Sequence, residues 1–261
     1  MKALILAGGR GKRLEGVSQA INKCMLNLGG KPIIEHNLDN AVNAGVDEIV
    51  IVVGYKAEDV INRYGINYRG KTIKYVIQQE QKGLVHAIEC AADALDGEDF
   101  FLMLGDELLI NPKHHPMIDL FRSDGLFGVC GVFVQKNRAL ISKTYTLVED
   151  GEHRIYRLIE KPRKALNDLM GTGNCIFKNE ILSYIGRTPI NQERGEKELP
   201  DLIQCAIDEG NVVKSCLICD NYFNVNSDDD LREAENCLNY RTPRIKLSLS
   251  KGEKYGKNKR R

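Results

Sequence analysis

The 261-residue chain is 43% hydrophobic and 28% charged, and its 37 basic and 36 acidic side chains leave a formal net charge of +1. That length and apolar content suffice for one large α/β domain with a full core, and no apolar run reaches the length of a membrane span. The balanced sum hides an asymmetry: from Arg241 onward nine basic residues face one acid, Glu253, so the remainder carries 28 basic and 35 acidic side chains. An acidic body argues against a nucleic-acid partner, and residues 241–261 read as a basic, solvated, disordered tail.

The N-terminus enters a strand without a charged-then-apolar leader, so a cytoplasmic location is expected. The eight cysteines, Cys24, Cys90, Cys130, Cys175, Cys205, Cys216, Cys219 and Cys237, are scattered as reduced core thiols would be. Only Cys216 and Cys219 have metal-ligand spacing, and with no second pair they read as part of a half-buried strand.

Apolar runs alternate with helical periodicity through the first half. Residues 3–7 predict a strand, 31–44 a helix with Ile33, Ile34, Leu38 and Val42 on one face, 48–53 a strand, 57–64 a helix, 73–77 a strand, 83–95 a helix and 100–104 a strand. Such alternation implies right-handed βαβ units and a three-layer, Rossmann-like, mainly parallel sheet. After about residue 126 come short strands at 127–134, 143–149, 154–160 and 172–177, helices at 178–185 and 198–208, a strand at 212–219 and a helix at 228–238. This second stretch reads as a smaller β-rich elaboration folded back as the far wall of a cleft. Residues 1–240 are expected to form one domain with halves 1–125 and 126–240.

The first strand empties into Gly8-Gly9-Arg10-Gly11-Lys12-Arg13, with Lys23 ten residues on. Small residues after a buried strand let backbone N–H groups close on phosphate oxygens, while Arg10, Lys12, Arg13 and Lys23 supply positive charge. A Walker loop is excluded because Arg13 stands where Ser or Thr should follow Gly11-Lys12. A dinucleotide fingerprint is incomplete, since Leu14 replaces its third glycine. A nucleoside triphosphate is the expected ligand. Asp106, after the apolar run 100–104 and Gly105, stands at the same sheet edge, where a triphosphate could bring magnesium, an ion that takes few protein oxygens and keeps several waters.

Together the run LILAGGRGKRL with Lys23, the Gly29–Pro32 segment, Gly105-Asp106 and Glu160-Lys161-Pro162 resemble the sugar-1-phosphate nucleotidylyltransferases, in the family's order over roughly residues 1–238. The likeness is to glucose-1-phosphate thymidylyltransferases on a nucleotidyltransferase fold. The resemblance implies that a sugar 1-phosphate oxygen attacks the α-phosphorus of an NTP and pyrophosphate leaves. It assigns Leu6, Ala7, Gly8, Gly9, Gly11 and Lys12 to the nucleotide, with Arg13 and Lys12 on the leaving phosphates, Lys23 near the α-phosphate and Lys161 on the incoming phosphate. Gln78 and Gly83 match a base-reading segment; glutamine both donates and accepts, which favours dTTP or UTP. Glu160, Gly173, Asn174, Glu198 and Asp201 match the sugar side, although Glu198 and Asp201 also suit an ordinary helix N-terminus. Magnesium would sit on Asp106 with Asn224 or Asn226, both placed on one face of a strand.

Several positions depart from the thymidylyl and uridylyl pattern. Cys24 replaces a proline after Lys23, Glu15 to Ser18 replace the usual loop residues, an Asn run replaces a second metal-binding Asp, and Tyr145-Thr146 stands where a glycine contacts the sugar. A cytidylyl- or guanylyltransferase acting on another phosphate acceptor, or a nucleotide-sugar sensor without turnover, is the alternative. A homo-oligomer stays open. His114 and His115, flanked by Pro112 and Pro116, read as a surface turn, and His36 and His86 as packing or surface residues on helices.

Overall fold

The computed structural model describes residues 1–11, 21–123 and 125–241. Its central sheet has eight strands in the order Val213–Leu217, Gly128–Val134, Leu169–Phe177, Phe100–Leu104, Lys2–Ala7, Ile49–Val53, Lys71–Ile77 and Asn67–Tyr68. Neighbours run parallel except where Leu169–Phe177 meets both its partners and where Asn67–Tyr68 closes the edge. The parallel core follows from sequence: all six residues of Lys2–Ala7 are buried, and Ala3 to Ala7 make the unbroken apolar run of a strand covered on both faces.

Successive side chains divide between the two faces. Ala3, Ile5 and Ala7 join Ile49, Ile51, Val53, Phe101 and Met103 beneath helices Ile33–Asn43, Ala57–Tyr64 and His114–Ser123. Leu4, Leu6, Val50, Val52, Phe100 and Leu102 pack against Val85 and Ile88 of helix Leu84–Cys90 and Leu202, Ile203 and Ala206 of helix Leu199–Asp208. A third cluster seats helix Asp228–Arg241 on Leu26, Leu28, Leu108 and Ile110 through Ala234. Among the described residues no helix is long and apolar enough to cross a membrane.

The register levels the strand ends. Ala7 lies opposite Val53, Val53 opposite Ile77, and Leu6 opposite Leu104, so Gly8, Gly54, Gln78 and Gly105 open their loops along one carboxyl edge, where such sheets bind ligands.

The structure corrects four expectations. The second half is less of an elaboration than expected: Gly128–Val134, Leu169–Phe177 and Val213–Leu217 extend the central sheet, and the ribbon Tyr145–Glu149 with Ile155–Glu160 forms its own two-stranded sheet. The helix expected over 83–95 breaks at Ala91, whose N–H bonds the Ile88 carbonyl in a tighter turn, giving Leu84–Cys90 and Ala92–Leu95. Glu107–Ile110 is a strand, paired antiparallel with Asn221–Asn224; because that partner ends at Asn224, Asn226 lies beyond the strand rather than on its face. His114 is not in a surface turn but opens helix His114–Ser123, buried edge-on against Phe101. Pro116 falls in the first turn of that helix, where a missing N–H costs nothing. The tail beyond Arg241 lies outside the described residues.

Candidate active site

At the carboxyl edge lies a cleft of about 650 Å³, lined by Leu6, Gly8, Gly9, Arg10 and Gly11 on one side, by Lys23, Cys24 and Asp106 at its base, and by Gln78, Gln81 and Gly83 with Arg194 and Glu196 opposite. The glycines fit their neighbours closely. A Cβ on Gly8 would stand 2.8 Å from Gln78 Oε1, and one on Gly11 would stand 3.1 Å from the Lys23 Cβ. Gly11 is also at φ +61°, which favours glycine. Ala7 is buried beneath the loop. Lys12 and Arg13, expected on the leaving phosphates, lie outside the described residues.

Lys23 is placed by Asn22, which is fully buried. Its Oδ1 accepts from the Cys24 N–H at 2.9 Å, capping the turn Lys23–Met25, while its Nδ2 donates to the carbonyls of Ala7 at 3.0 Å and Tyr55 at 2.8 Å. The turn is thereby fastened to two strand-end loops. From it Lys23 Nζ donates to Asp106 Oδ2 at 2.6 Å and to Asn226 Oδ1 at 2.8 Å, in a side chain only 7% exposed. Burial and the Asp106 charge push the Cys24 thiol well up, so it stays protonated and packs against the edge.

The Lys23 ammonium marks where a cation fits. Asp106 Oδ2 and Asn226 Oδ1 converge on it as they would on a hard metal ion, whereas Asn224 Oδ1 is engaged by Asn226 Nδ2 at 2.7 Å. Asn226, not Asn224, is therefore the amide turned to Lys23, and Asn224 orients it. Among the described residues no three His, Cys, Asp or Glu side chains converge. One carboxylate and one amide oxygen suit magnesium, which draws its other ligands from phosphate and water.

Arg194, which lines the cleft, reaches back into a charged cluster. Arg194 Nη1 lies 2.7 Å from Glu198 Oε1 and 3.4 Å from Glu160 Oε1, and Lys161 Nζ lies 3.3 Å from Glu160 Oε1. Lys161 adopts φ +40° and its N–H bonds the Thr144 carbonyl at 2.7 Å. Burial pushes the Glu160, Glu198 and Asp201 carboxyls up, and Glu198 adds repulsion at Glu160. Glu198 is the residue before helix Leu199–Asp208, yet its side chain turns to Arg194 instead of capping, and Asp201 lies in that helix's first turn.

Gly173 and Asn174 do not line the cleft; they stand behind it, bound to a carboxylate. Glu107, 1% exposed, accepts from the Gly173 N–H at 2.9 Å, from Asn174 Nδ2 at 2.9 Å and from the Tyr222 hydroxyl at 2.5 Å. Burial pushes this carboxyl up to about 7, against the pull of those donors. Asn174 Oδ1 continues the network to His114 Nε2 at 3.2 Å, whose own pKa burial brings down to about 4. Tyr145 and Thr146 are buried too: a Cβ on Gly171 would fall 1.9 Å from the Tyr145 ring, and Thr146 Oγ1 donates to the Leu169 carbonyl at 2.8 Å.

Asn22, Glu107 and Arg194 escaped the sequence reading. Asn22 had a faint signal, a cap residue directly before a motif lysine. Arg194 sits with a second base, Lys197, among the acids Glu193, Glu196 and Glu198, and Glu107, next to Asp106, resembles any strand residue until its three donors are seen.

The model of the family described as nucleotidyl transferase matches residues 2–238. The UTP–glucose-1-phosphate uridylyltransferase AglF of Haloferax volcanii is 33% identical over 243 residues, covering 93% of this chain and 98% of that protein. The glucose-1-phosphate thymidylyltransferase of Streptomyces griseus is 29% identical over 233 residues, covering 84% of this chain and 60% of the relative. A crystal structure of UDP-glucose pyrophosphorylase complexed with UDP-glucose superposes with a TM-score of 0.84 at 21% identity, over 92% of this chain and 98% of that one; at that identity it supports the fold. With nearly its whole length matched by the family model, the chain belongs to the nucleotidyl transferase family.

Proposed function

We propose that the chain is a cytoplasmic, magnesium-dependent sugar-1-phosphate nucleotidylyltransferase, which takes a pyrimidine NTP, dTTP or UTP, and a sugar 1-phosphate and gives a nucleotide-sugar and pyrophosphate. The observation that carries this reading is the Lys23 ammonium, held 2.6 Å from Asp106 and 2.8 Å from Asn226 in the cleft that the glycine loop and Arg194 also line. Similarity to uridylyl- and thymidylyltransferases supports the pairing of substrates.

A sugar phosphate oxygen attacks the α-phosphorus, the bond to the bridging α–β oxygen breaks, and pyrophosphate departs with its electron pair. The attacking group is already ionised near neutral pH, so the protein contributes position and charge rather than a base. The backbone N–H groups of the Gly8–Gly11 loop with Arg10 receive the β and γ phosphates, aided by Lys12 and Arg13. Lys23 moves from Asp106 to the α-phosphate. Lys161 and Arg194 draw in the sugar phosphate, and Gln78 reads the base above Gly83. Glu160, Glu198 and Asp201 accept hydrogen bonds from sugar hydroxyls. Asp106 and Asn226 would hold magnesium, which when bound would supply positive charge against the phosphates' mutual repulsion.

The test is pyrophosphate release with magnesium, crossing dTTP, UTP, CTP, GTP and ATP with a panel of sugar 1-phosphates. Turnover confined to UTP or dTTP, lost in Asp106→Ala and on chelation, is expected. NTP binding visible as thermal stabilisation without turnover on any acceptor would refute catalysis and favour a sensor.

A further inference from the structure

Gln78 is 4% exposed although it lines the cleft, and both hydrogens of its amide are consumed inside the protein. Nε2 lies 3.1 Å from the Gly83 carbonyl oxygen and 3.0 Å from His86 Nδ1. A carbonyl oxygen only accepts, so the amide atom facing it is the NH2 group. The second amide hydrogen then goes to His86 Nδ1, which must accept it; the imidazole proton is on Nε2, 3.7 Å from Cys90 Sγ. Fixing Nε2 fixes Oε1. That oxygen is 2.8 Å from the point where a Cβ on Gly8 would stand, and among the described residues no donor meets it. The glycine leaves open the space in front of an accessible, unpartnered acceptor in the wall of the cleft.

We infer that His86, acting through Gln78, determines which base edge the cleft admits: it locks the amide so that an acceptor faces the ligand, which suits a base with a ring N–H donor and rejects one with a ring nitrogen acceptor. Uracil and thymine donate through N3–H, whereas N3 of cytosine accepts and would meet Oε1 lone pair to lone pair. Guanine's N1–H meets the same requirement, so the device sorts by donor rather than by ring size. A glutamine free to turn about its last bond would serve either edge; the Gly83 carbonyl and the Nε2–H tautomer of His86 remove that freedom, because turning would set Oε1 against the Gly83 carbonyl oxygen and force the imidazole to move its proton to Nδ1, leaving a part-buried carbonyl unpaired. This role rests on the proposed reading that Gln78 faces the base. His86, in the first turn of helix Leu84–Cys90, is a positioning residue.

The experiment measures Kd for UTP, CTP and 3-methyl-UTP, which lacks the N3–H, by titration calorimetry on the full-length protein and on His86→Leu and His86→Gln, with kcat for pyrophosphate release in parallel. The expectation for the unaltered protein is that UTP binds at least about tenfold tighter than CTP and 3-methyl-UTP, the size of effect given by one buried group left unpaired. In His86→Leu the preference for UTP over CTP falls to within about threefold while kcat at saturating nucleotide stays within about twofold. His86→Gln, whose amide oxygen can replace Nδ1 as acceptor, restores the preference. A merely structural His86 would weaken all three ligands alike and leave the ratio unchanged, and that result overturns the inference. Equal binding of UTP and 3-methyl-UTP by the unaltered protein overturns it without any variant. Should no sugar phosphate be turned over, the proposed function fails while the binding ratios still decide this point.

Discussion

Replacing Asn22 by alanine removes three hydrogen bonds from a side chain with no solvent exposure: the cap on Cys24 N–H and the tethers to the Ala7 and Tyr55 carbonyls. At about 1 kcal/mol net for each bond, the loss should be about 3 kcal/mol, a large part of the roughly 5–15 kcal/mol that holds a domain folded. For a chain of this size that corresponds to a fall of about 6–12 °C in Tm. Asn22→Asp separates the parts, because its carboxylate keeps the cap but sets an oxygen against two carbonyl oxygens. It should lose at least about 2 kcal/mol. Since Lys23 is the next residue, freeing the turn should also lower kcat/KM by about 100-fold, the scale of a 1 Å misplacement. The protein has no tryptophan, so urea unfolding is followed by far-ultraviolet circular dichroism, with pyrophosphate release measured on the same samples. Asn22→Ala within about 0.5 kcal/mol of the unaltered protein, the range of a neutral surface change, would refute the reasoning, as would an Asn22→Asp variant of full activity.

Three other outcomes are expected. Glu107, raised to about 7 from an ordinary 4.5, makes the fold more stable as pH falls from 7 to 4.5, because the native state holds the extra proton; His114, lowered to about 4 from 6.5, does the opposite between 6.5 and 4. The two slopes cancel over pH 4.5–6.5, so Glu107→Gln should expose the His114 slope and lose about 2–3 kcal/mol as pH drops through that window, seen as a steeper acid decline in urea midpoints; a flat profile sinks the assignment. Gly171→Ala would drive a Cβ into the buried Tyr145 ring and should cost about 3 kcal/mol by overpacking, read by calorimetric melting, where an unchanged Tm contradicts the packing. Arg194→Gln leaves Glu198 and Glu160 without their bridge and should raise KM for the sugar phosphate by about 10–100-fold, on the scale of a charge-assisted contact, while the Kd for NTP holds; equal loss of both would place Arg194 elsewhere in the reaction.

Much of the first half was legible because its signals are local. Residues 57–64 and 100–104 form the helix and strand their periodicity predicts, and the strand that empties into the glycine loop does so at the sheet's carboxyl edge. The second half was harder to place, because antiparallel insertion of Leu169–Phe177 between two parallel partners leaves no trace in its own composition. His114 was misplaced for a related reason: two flanking prolines suggest a turn, and only the Phe101 and Asn174 contacts reveal a helix start inside the core.

The sequence by itself determined the glycine loop after the first strand, the position of Asp106 after a buried strand and the parallel core, since each depends on residues a few positions apart and on the two-fold or 3.6-fold period of the backbone, and the family resemblance, which depends only on the order of such local motifs. Tertiary structure decided which asparagine meets Lys23, which amide hydrogens of Gln78 are already engaged, and where Arg194 reaches. Lys23 meets Asp106 across 83 residues and Asn226 across 203. Contacts of that separation are set by which strands pair and in what register, and those choices are made by packing across the whole sheet.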